Sequence, residues 1–136
     1  MYGSIELGGT KIRSAVFDDE GNLKAEDRVK TSSPDENIKE VLEFFKEYEI
    51  KSLGIGAFGP IDVDKKSESY GYILATPKKK WENFNLLGTL KKSLDVSMGL
   101  TTDVGASGLG EYYLGAAKDK ASSLYLTIGT GLGGSY

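Results

Sequence analysis

Two short segments near opposite ends of the chain have the composition of phosphate-binding turns: Gly8-Gly9-Thr10 and Gly129-Thr130-Gly131. A turn that lacks Cβ atoms lets backbone N–H groups approach phosphate oxygens, and a threonine hydroxyl adds one more donor. A single turn of this kind is more often just a hairpin. Two such turns flanking an acid at the end of a strand form a more specific pattern, and they indicate a site for a phosphorylated ligand.

The acid between the two turns is Asp103, which follows an apolar stretch over 98–101 and precedes a stretch over 104–114 that is expected to be helical. An acid in that place can point into a cleft. Because the chain contains no histidine and no cysteine, proton transfer must fall to carboxylates or lysines. The residues alone leave two roles open for Asp103: proton transfer, or an N-cap for the helix that follows.

Two glycine runs match the spacing G-x-G-x-x-G, at 54–59 and at 129–134. The dinucleotide-binding version of this motif opens a helix and is followed by an acid about 20 residues later. Neither run has that context, so a nicotinamide-binding fold is not predicted. The chain also lacks G-x-x-x-x-G-K-[ST], which excludes a P-loop.

The elements that must position these residues are predicted from apolar patterning and turn signals. Two apolar stretches and a polar one, joined by short loops, predict a three-stranded antiparallel meander over 2–7, 12–17 and 23–31. Ser33-Pro34-Asp35-Glu36 predicts a helix start with a capping box. The remaining predictions are strands at 53–57, 71–75, 98–101 and 123–128, and helices at 86–94 and 104–114. This order predicts an α/β chain with a mixed sheet and flanking helices.

The composition excludes several classes of function. The formal net charge of −3 predicts no electrostatic binding of nucleic acid. No apolar run approaches membrane-spanning length, and the N-terminus lacks the pattern of a secretory signal. We therefore expect a cytoplasmic protein without nucleic-acid or membrane partners.

Five motifs follow one another in the order found in a known family: Glu6-Leu7-Gly8-Gly9-Thr10-Lys11, Gly56-Ala57-Phe58-Gly59-Pro60-Ile61-Asp62, Thr76-Pro77-Lys78 with Trp81, Thr102-Asp103-Val104 with Leu109-Gly110-Glu111, and Thr127-Ile128-Gly129-Thr130-Gly131. In this the chain resembles the ROK family of sugar kinases from Tyr2 to its last residue. Glu before the first glycine pair and Thr before Asp103 make it most similar to the bacterial fructokinases.

The resemblance implies a lobe of the actin/hexokinase-like (ribonuclease H-like) fold, with ATP and sugar in a cleft between two lobes. It implies that 1–122 form the N-terminal lobe. Residues 123–136 would then be the first strand and phosphate loop of a C-terminal lobe that is otherwise absent. The Cys/His zinc site of the family is not encoded in this sequence.

The resemblance also implies a role for each candidate residue. Asp103 would be the catalytic base that accepts the proton of the attacking sugar hydroxyl, and Glu6 would face Mg²⁺ through water. The ATP phosphates would bind Gly8, Gly9 and Thr10 on one side and Gly129, Thr130 and Gly131 on the other. The sugar would lie against Gly59, Pro60, Thr102 and Asp103, although Gly59 and Pro60 are equally well explained as a turn. The run Lys78-Lys79-Lys80 is interpreted as solvated charge, with screening of an anionic ligand as the alternative.

Two departures from the family pattern bear on activity. Gly105 stands where the family usually has Asn, and Gly108 where Ala is more usual. We therefore expect weakened turnover. Three functions stay open: ATP-dependent phosphorylation of a hexose, with fructose favoured; a catalytically incomplete remnant that binds phosphate or sugar; and a regulatory or scaffolding module. A homodimer is a further expectation, because loss of a lobe leaves apolar surface uncovered.

Overall fold

The computed structural model describes residues 1–129 and 131–136. Its main feature is a five-stranded sheet with the order β3-β2-β1-β4-β5. The strands are β1 (Tyr2–Leu7), β2 (Lys11–Phe17), β3 (Leu23–Lys30), β4 (Ser52–Ala57) and β5 (Ser97–Thr102). The first three form an antiparallel meander, and β4 and β5 run parallel to β1. The predicted mixed sheet is confirmed.

Helices cover both faces of this sheet. They are α1 (Pro34–Phe45), α2 (Leu86–Ser93) and α3 (Asp103–Leu114). Side chains from β1, β2 and β4 alternate, so that one face of the sheet packs against α1, α2 and a 3-10 turn at Lys79–Trp81. The largest fully buried side chains of that core are Trp81, Phe45, Leu7, Ile12, Leu53, Ile73, Leu86 and Leu90. Helix α3 packs on the opposite face.

The start of α1 differs from the predicted capping box. Ser33 is the N-cap, but its side chain makes no capping hydrogen bond. Instead the buried Asn37 accepts a hydrogen bond from the Ser32 N–H at 2.7 Å and donates one to the Lys30 carbonyl at 3.0 Å. Glu36 accepts from the Ser32 hydroxyl at 2.8 Å. The predicted reciprocal hydrogen bonds between Ser33 and Glu36 are therefore wrong. The side chain of Asn37 instead binds the backbone that precedes the helix.

Two strand predictions also change. The segment 71–75 forms only isolated bridges, between Ile61 and Ile73 and between Tyr72 and Asn85, and is not a strand. The last predicted strand is observed as β6 (Tyr125–Ile128). It is followed by β7 (Leu132–Ser135), which the sequence did not predict. These two strands pair antiparallel as a separate hairpin. Within residues 1–129 and 131–136, no helix has the length and apolar character needed to cross a bilayer.

Candidate functional site

The carboxyl ends of the three parallel strands are aligned. Leu7, Ala57 and Thr102 are register partners across β1, β4 and β5. The segments that follow them therefore leave the same edge of the sheet, which is where ligands bind in open α/β sheets. Because neighbouring strands lie about 4.8 Å apart, Leu7 and Thr102 are separated by roughly 10 Å. The first glycine turn and Asp103 begin one residue beyond these two positions.

The first glycine turn connects β1 to β2 and is held rigidly. The Gly8 N–H donates to the Lys11 carbonyl at 3.0 Å. A Cβ atom on Gly8 would lie only 2.7 Å from that same carbonyl oxygen, so no larger residue fits without a backbone shift. Thr31 braces the turn from outside: its hydroxyl donates to the Gly8 carbonyl at 2.8 Å, and its N–H donates to the Thr10 carbonyl at 2.9 Å.

These hydrogen bonds show which donors of the three turn residues are used and which are free. The Gly8 N–H is already used inside the hairpin. The N–H groups of Gly9 and Thr10 and the hydroxyl of exposed Thr10 donate to no acceptor in the described part of the chain. Free N–H groups in a turn are the usual donors to an anion. Gly8 therefore shapes the turn, while Gly9 and Thr10 present its available donors.

Asp103 is the first residue of α3, and Thr102 is the N-cap. The Thr102 hydroxyl oxygen accepts from the Gly105 N–H at 3.0 Å. One carboxylate oxygen of half-buried Asp103 accepts from the Val104 N–H at 2.9 Å, and the other has no hydrogen-bond partner among the described residues. The N-cap alternative for Asp103 is thus wrong, because Thr102 takes that position. The second carboxylate oxygen stays available for other contacts.

Asp103 lines an open groove on the face of the sheet opposite the main core. The groove has a volume of about 800 Å³. Glu6, Arg13 and Gly56 line it together with Asp103 and the first two turns of α3. Arg13 lies 3.8 Å from a Glu6 carboxylate oxygen and 3.6 Å from one of Glu26. Sequence reasoning missed Arg13; strand alternation, which opposes it to buried Ile12, could have placed it on this face.

Glu6 and Asp103, two of the three acids that line the groove, suit a water-rich magnesium site. Mg²⁺ keeps several waters and takes one or two carboxylates plus substrate phosphates. Residues 1–129 and 131–136 contain no cluster of three or more acidic ligands that could hold a metal by themselves. Glu6 and Asp103 are therefore compatible with a metal held largely by water and phosphate, but not with a closed protein cage.

Gly56 and Gly105 have packing roles at this groove. A Cβ atom on Gly56 would lie 2.8 Å from the Ala106 Cβ and 3.6 Å from the Asp103 Cα. A Cβ atom on Gly105 would lie 2.5 Å from the Thr101 Oγ1. Both glycines let the first turn of α3 approach the strands closely. Within the 54–59 run, Gly56 thus serves strand–helix packing, whereas a Cβ atom on Gly54 would meet nothing within 4 Å; the run does not form a dinucleotide-binding turn.

Gly129 and Gly131 of the second glycine segment lie at the tip of the β6–β7 hairpin. The Gly129 N–H donates to the Gly131 carbonyl at 2.9 Å, whereas the predicted phosphate ligand Thr130 lies outside the described residues. A Cβ atom on Gly133 would lie 2.8 Å from the Val104 Cγ2, and one on Gly108 would lie 2.8 Å from the Ser135 Oγ. These contacts align the hairpin along α3, with its tip towards the end of the helix that carries Asp103.

The candidate sugar-contacting segment leaves β4 at the same edge. The Phe58 N–H donates to the Leu7 carbonyl at 2.8 Å, and the Leu74 N–H donates to the Pro60 carbonyl at 2.8 Å. Gly59 and Pro60 are exposed and joined by a cis peptide bond. The fold thus brings Gly59 and Pro60 to the strand ends that also hold Thr102 and Asp103.

Comparison with known proteins gives consistent matches along the chain. The sequence model of the ROK family matches residues 2–136. The fructokinase of Lactococcus lactis subsp. cremoris is 46% identical over 133 residues, which cover 98% of this chain and 45% of that protein. The fructokinase of Streptococcus mutans is 42% identical over 135 residues, which cover 98% of this chain and 45% of that protein.

The fold has solved counterparts. A ROK family glucokinase from Streptomyces griseus, crystallised with glucose and AMPPNP, superposes with a TM-score of 0.80 at 28% identity. The match covers 98% of this chain and 43% of the glucokinase. The predicted actin/hexokinase-like fold is confirmed. The chain spans less than half the length of each of these relatives.

Proposed function

The chain belongs to the ROK family, and on this basis we propose that it supplies the catalytic-base half of an ATP-dependent hexose kinase. The observation that carries the proposal is the common register of Leu7, Ala57 and Thr102. That register brings the free donors of the first glycine turn, the Gly59–Pro60 segment and Asp103 to one edge of the sheet. A phosphate, a sugar and a proton acceptor would meet at such an edge.

In the proposed reaction, Asp103 orients a sugar hydroxyl and accepts its proton through the carboxylate oxygen that α3 leaves free. The Gly9 and Thr10 N–H groups would hold the terminal phosphate of ATP; as the hydroxyl oxygen bonds to its phosphorus, the bond to the bridging oxygen breaks and ADP leaves. Phosphoryl transfer has a loose transition state, so positioning and charge neutralisation contribute most of the catalysis. Bound Mg²⁺ would neutralise phosphate charge, and Glu6 is the residue of this chain that would bind its waters.

The sugar is proposed to lie against Gly59, Pro60 and Thr102, within reach of Asp103. Fructose is the favoured hexose, because the two curated relatives with identities of 42% and 46% are named fructokinases. The phosphates would be held from the other side by Gly129, Thr130 and Gly131, the segment that joins β6 to β7 in the sequence. The cytoplasmic location expected from the sequence stays a prediction.

A second candidate function is binding of phosphate or sugar without turnover. It is favoured by Gly105, which stands where the family resemblance leads us to expect Asn. Formation of a homodimer is compatible with either candidate function. The hairpin and α3 expose large apolar side chains that a second copy would cover: Leu114 at 88%, Ile128 at 82% and Leu132 at 76% exposure.

A chimeric enzyme tests these functions. Residues 1–136 would be joined to the C-terminal portion of the Lactococcus lactis fructokinase, and fructose-dependent ADP formation measured. We expect turnover, with an Asp103→Asn chimera slower by a factor on the order of 100 to 10,000. If neither this chimera nor its Gly105→Asn variant turns over, although both bind fructose and ATP, the kinase proposal fails in favour of binding alone.

A further inference from the structure

The side chain of Lys78 lies against Gly9 of the first glycine turn. A Cβ atom on Gly9 would be 3.5 Å from the Lys78 Cε, and the ammonium group is one bond beyond that carbon. The Lys78 side chain is exposed and forms no ion pair with any acid of the described chain. The Lys78 charge therefore has no acidic partner among the described residues, and its Cε lies against Gly9, whose N–H group is free.

The backbone of Lys78 is tied to the same segment that braces the turn. The Trp81 N–H donates to the Lys78 carbonyl at 2.8 Å, which closes the 3-10 turn. Trp81 is only 1% exposed, and its indole N–H donates to the Ser32 carbonyl at 3.0 Å. Thr31, the neighbour of Ser32, makes the two hydrogen bonds to the glycine turn. Lys78 and the turn are thus fixed relative to one another through two adjacent residues.

The two lysines that follow differ from Lys78. Lys79 lies 3.4 Å from a carboxylate oxygen of Glu82 and forms an ion pair with it. Lys80 is exposed and has no ion-pair partner in the part of the chain that the structure describes, and none of its atoms lies within 4 Å of a Cβ atom on Gly8 or Gly9. The sequence was interpreted as a solvated run, with screening of an anionic ligand as the alternative; of the three lysines, Lys78 is the one whose side chain lies within 4 Å of a Cβ atom on Gly9. Lys80 is therefore a matched control for Lys78.

We propose that Lys78 is a phosphate-binding residue, whose ammonium group binds the phosphoryl group seated on the Gly9 and Thr10 N–H groups. The proposal rests on the proposed kinase function, in which that group is the terminal phosphate of a nucleoside triphosphate. Lysine suits this role because its ammonium group is a compact charge with three donors. During transfer, negative charge on the phosphoryl oxygens stays within reach of this cation, which supplements the neutral donors of the turn.

The test uses the 136-residue chain and tripolyphosphate with Mg²⁺ as the probe. Amide NMR signals of Gly9 and Thr10 would be followed in the wild type and in the variants Lys78→Met, Lys80→Met and Lys78→Arg. Removal of a charged hydrogen-bond donor should weaken binding about 10-fold or more in Lys78→Met. We expect Lys80→Met to stay within about 2-fold of the wild type, since a solvated charge contributes little. Lys78→Arg should restore part of the loss.

The outcomes separate this inference from the proposed function. Equal affinities for Lys78→Met and Lys80→Met, with Gly9 and Thr10 still shifted by the probe, would overturn the role of Lys78 and leave the phosphate turn intact. No shift of Gly9 or Thr10 in the wild type would overturn the function of the turn and the inference with it. A parallel titration with fructose 6-phosphate identifies the source of the phosphate. If Lys78→Met weakens the binding of fructose 6-phosphate but not that of tripolyphosphate, the assignment to a nucleotide is contradicted.

Discussion

A Cβ atom on Gly56 would lie only 2.8 Å from the Cβ of Ala106 in α3. The absence of a side chain at this position of β4 lets the first turn of α3 rest directly on the strand. A Cβ atom on Gly56 would also lie 3.6 Å from the Asp103 Cα, so this close approach sets the position of the candidate catalytic base as well. Strand–helix packing and the geometry of the site are therefore coupled at Gly56.

Replacement of Gly56 by alanine should destabilise the chain by about 1–3 kcal/mol, because the added methyl group overpacks the interface. Gly54 is the matched control, since it lies on the same strand and face and a Cβ atom there meets nothing within 4 Å. Gly54→Ala should be neutral or slightly stabilising. Urea denaturation of both variants measures the difference, and equal midpoints would contradict the packing role.

The two residues at the start of α3 should respond differently to substitution. Thr102→Val removes the hydroxyl that caps the helix and should cost about 1 kcal/mol of stability. Asp103→Asn keeps an oxygen for the Val104 N–H and should change stability by less than about 0.5 kcal/mol. Chemical denaturation distinguishes the two. A larger loss for Asp103→Asn than for Thr102→Val would mean that Asp103 is chiefly a structural residue.

The brace on the glycine turn gives a third prediction. Thr31→Val keeps the shape of the side chain and the backbone hydrogen bond to Thr10, but it removes the hydroxyl bond to the Gly8 carbonyl. The free energy of unfolding should fall by about 1 kcal/mol, and Thr31→Ser should recover most of it. Hydrogen exchange at Gly8, whose N–H closes the turn, reports the local effect. Unchanged exchange in Thr31→Val would show that the turn does not need this support.

Asp62 gives a pH-dependent prediction. The hydroxyls of Ser67 and Ser69 hydrogen-bond to one another, and that of Ser69 donates to the Asp62 carboxylate. Together with the Asp64 N–H, they lower the pKa of the Asp62 carboxyl below its usual value of 3.8. A carboxyl whose pKa is lower in the folded state stabilises the fold above the unfolded-state pKa. That stabilisation is lost as the pH falls through the folded-state pKa.

The wild type should therefore be more thermostable than Asp62→Ala near pH 6, and this advantage should shrink below about pH 4. Asp64→Ala is the comparison within the same loop. Melting temperatures measured between pH 2 and pH 6 provide the readout. An advantage of the wild type that does not change with pH would contradict the ionic role of Asp62.

Local patterning was sufficient for most of the fold. Alternation along Tyr2–Leu7 and helical spacing after Pro34 depend on residues close in sequence, so the sequence predicted these elements well. Asn37 replaced the predicted capping box because its partner, Lys30, belongs to the preceding strand. The strand β7 contains two glycines, which lower strand propensity, and it forms only by pairing with β6 and packing on α3.

The candidate site was predictable by residue type but not by arrangement. The glycine turns and Asp103 have recognisable compositions, whereas the positions of Arg13 and Lys78 depend on which strands and turns become neighbours. Lys78 reaches Gly9 across almost seventy positions of sequence, through packing of Trp81 against the segment that follows β3. No local pattern around Lys78 distinguishes it from Lys79 and Lys80.

The central claim is that the first glycine turn and Asp103 serve one bound nucleotide. Paramagnetic broadening by ATP with Mn²⁺ in place of Mg²⁺ tests it most directly, because broadening falls steeply with distance from the metal. The account predicts that the amide signals of Gly9 and Val104 broaden together, while that of Gly21, in the distant turn between β2 and β3, stays sharp. Broadening of only one of the first two signals, or of neither, would contradict it.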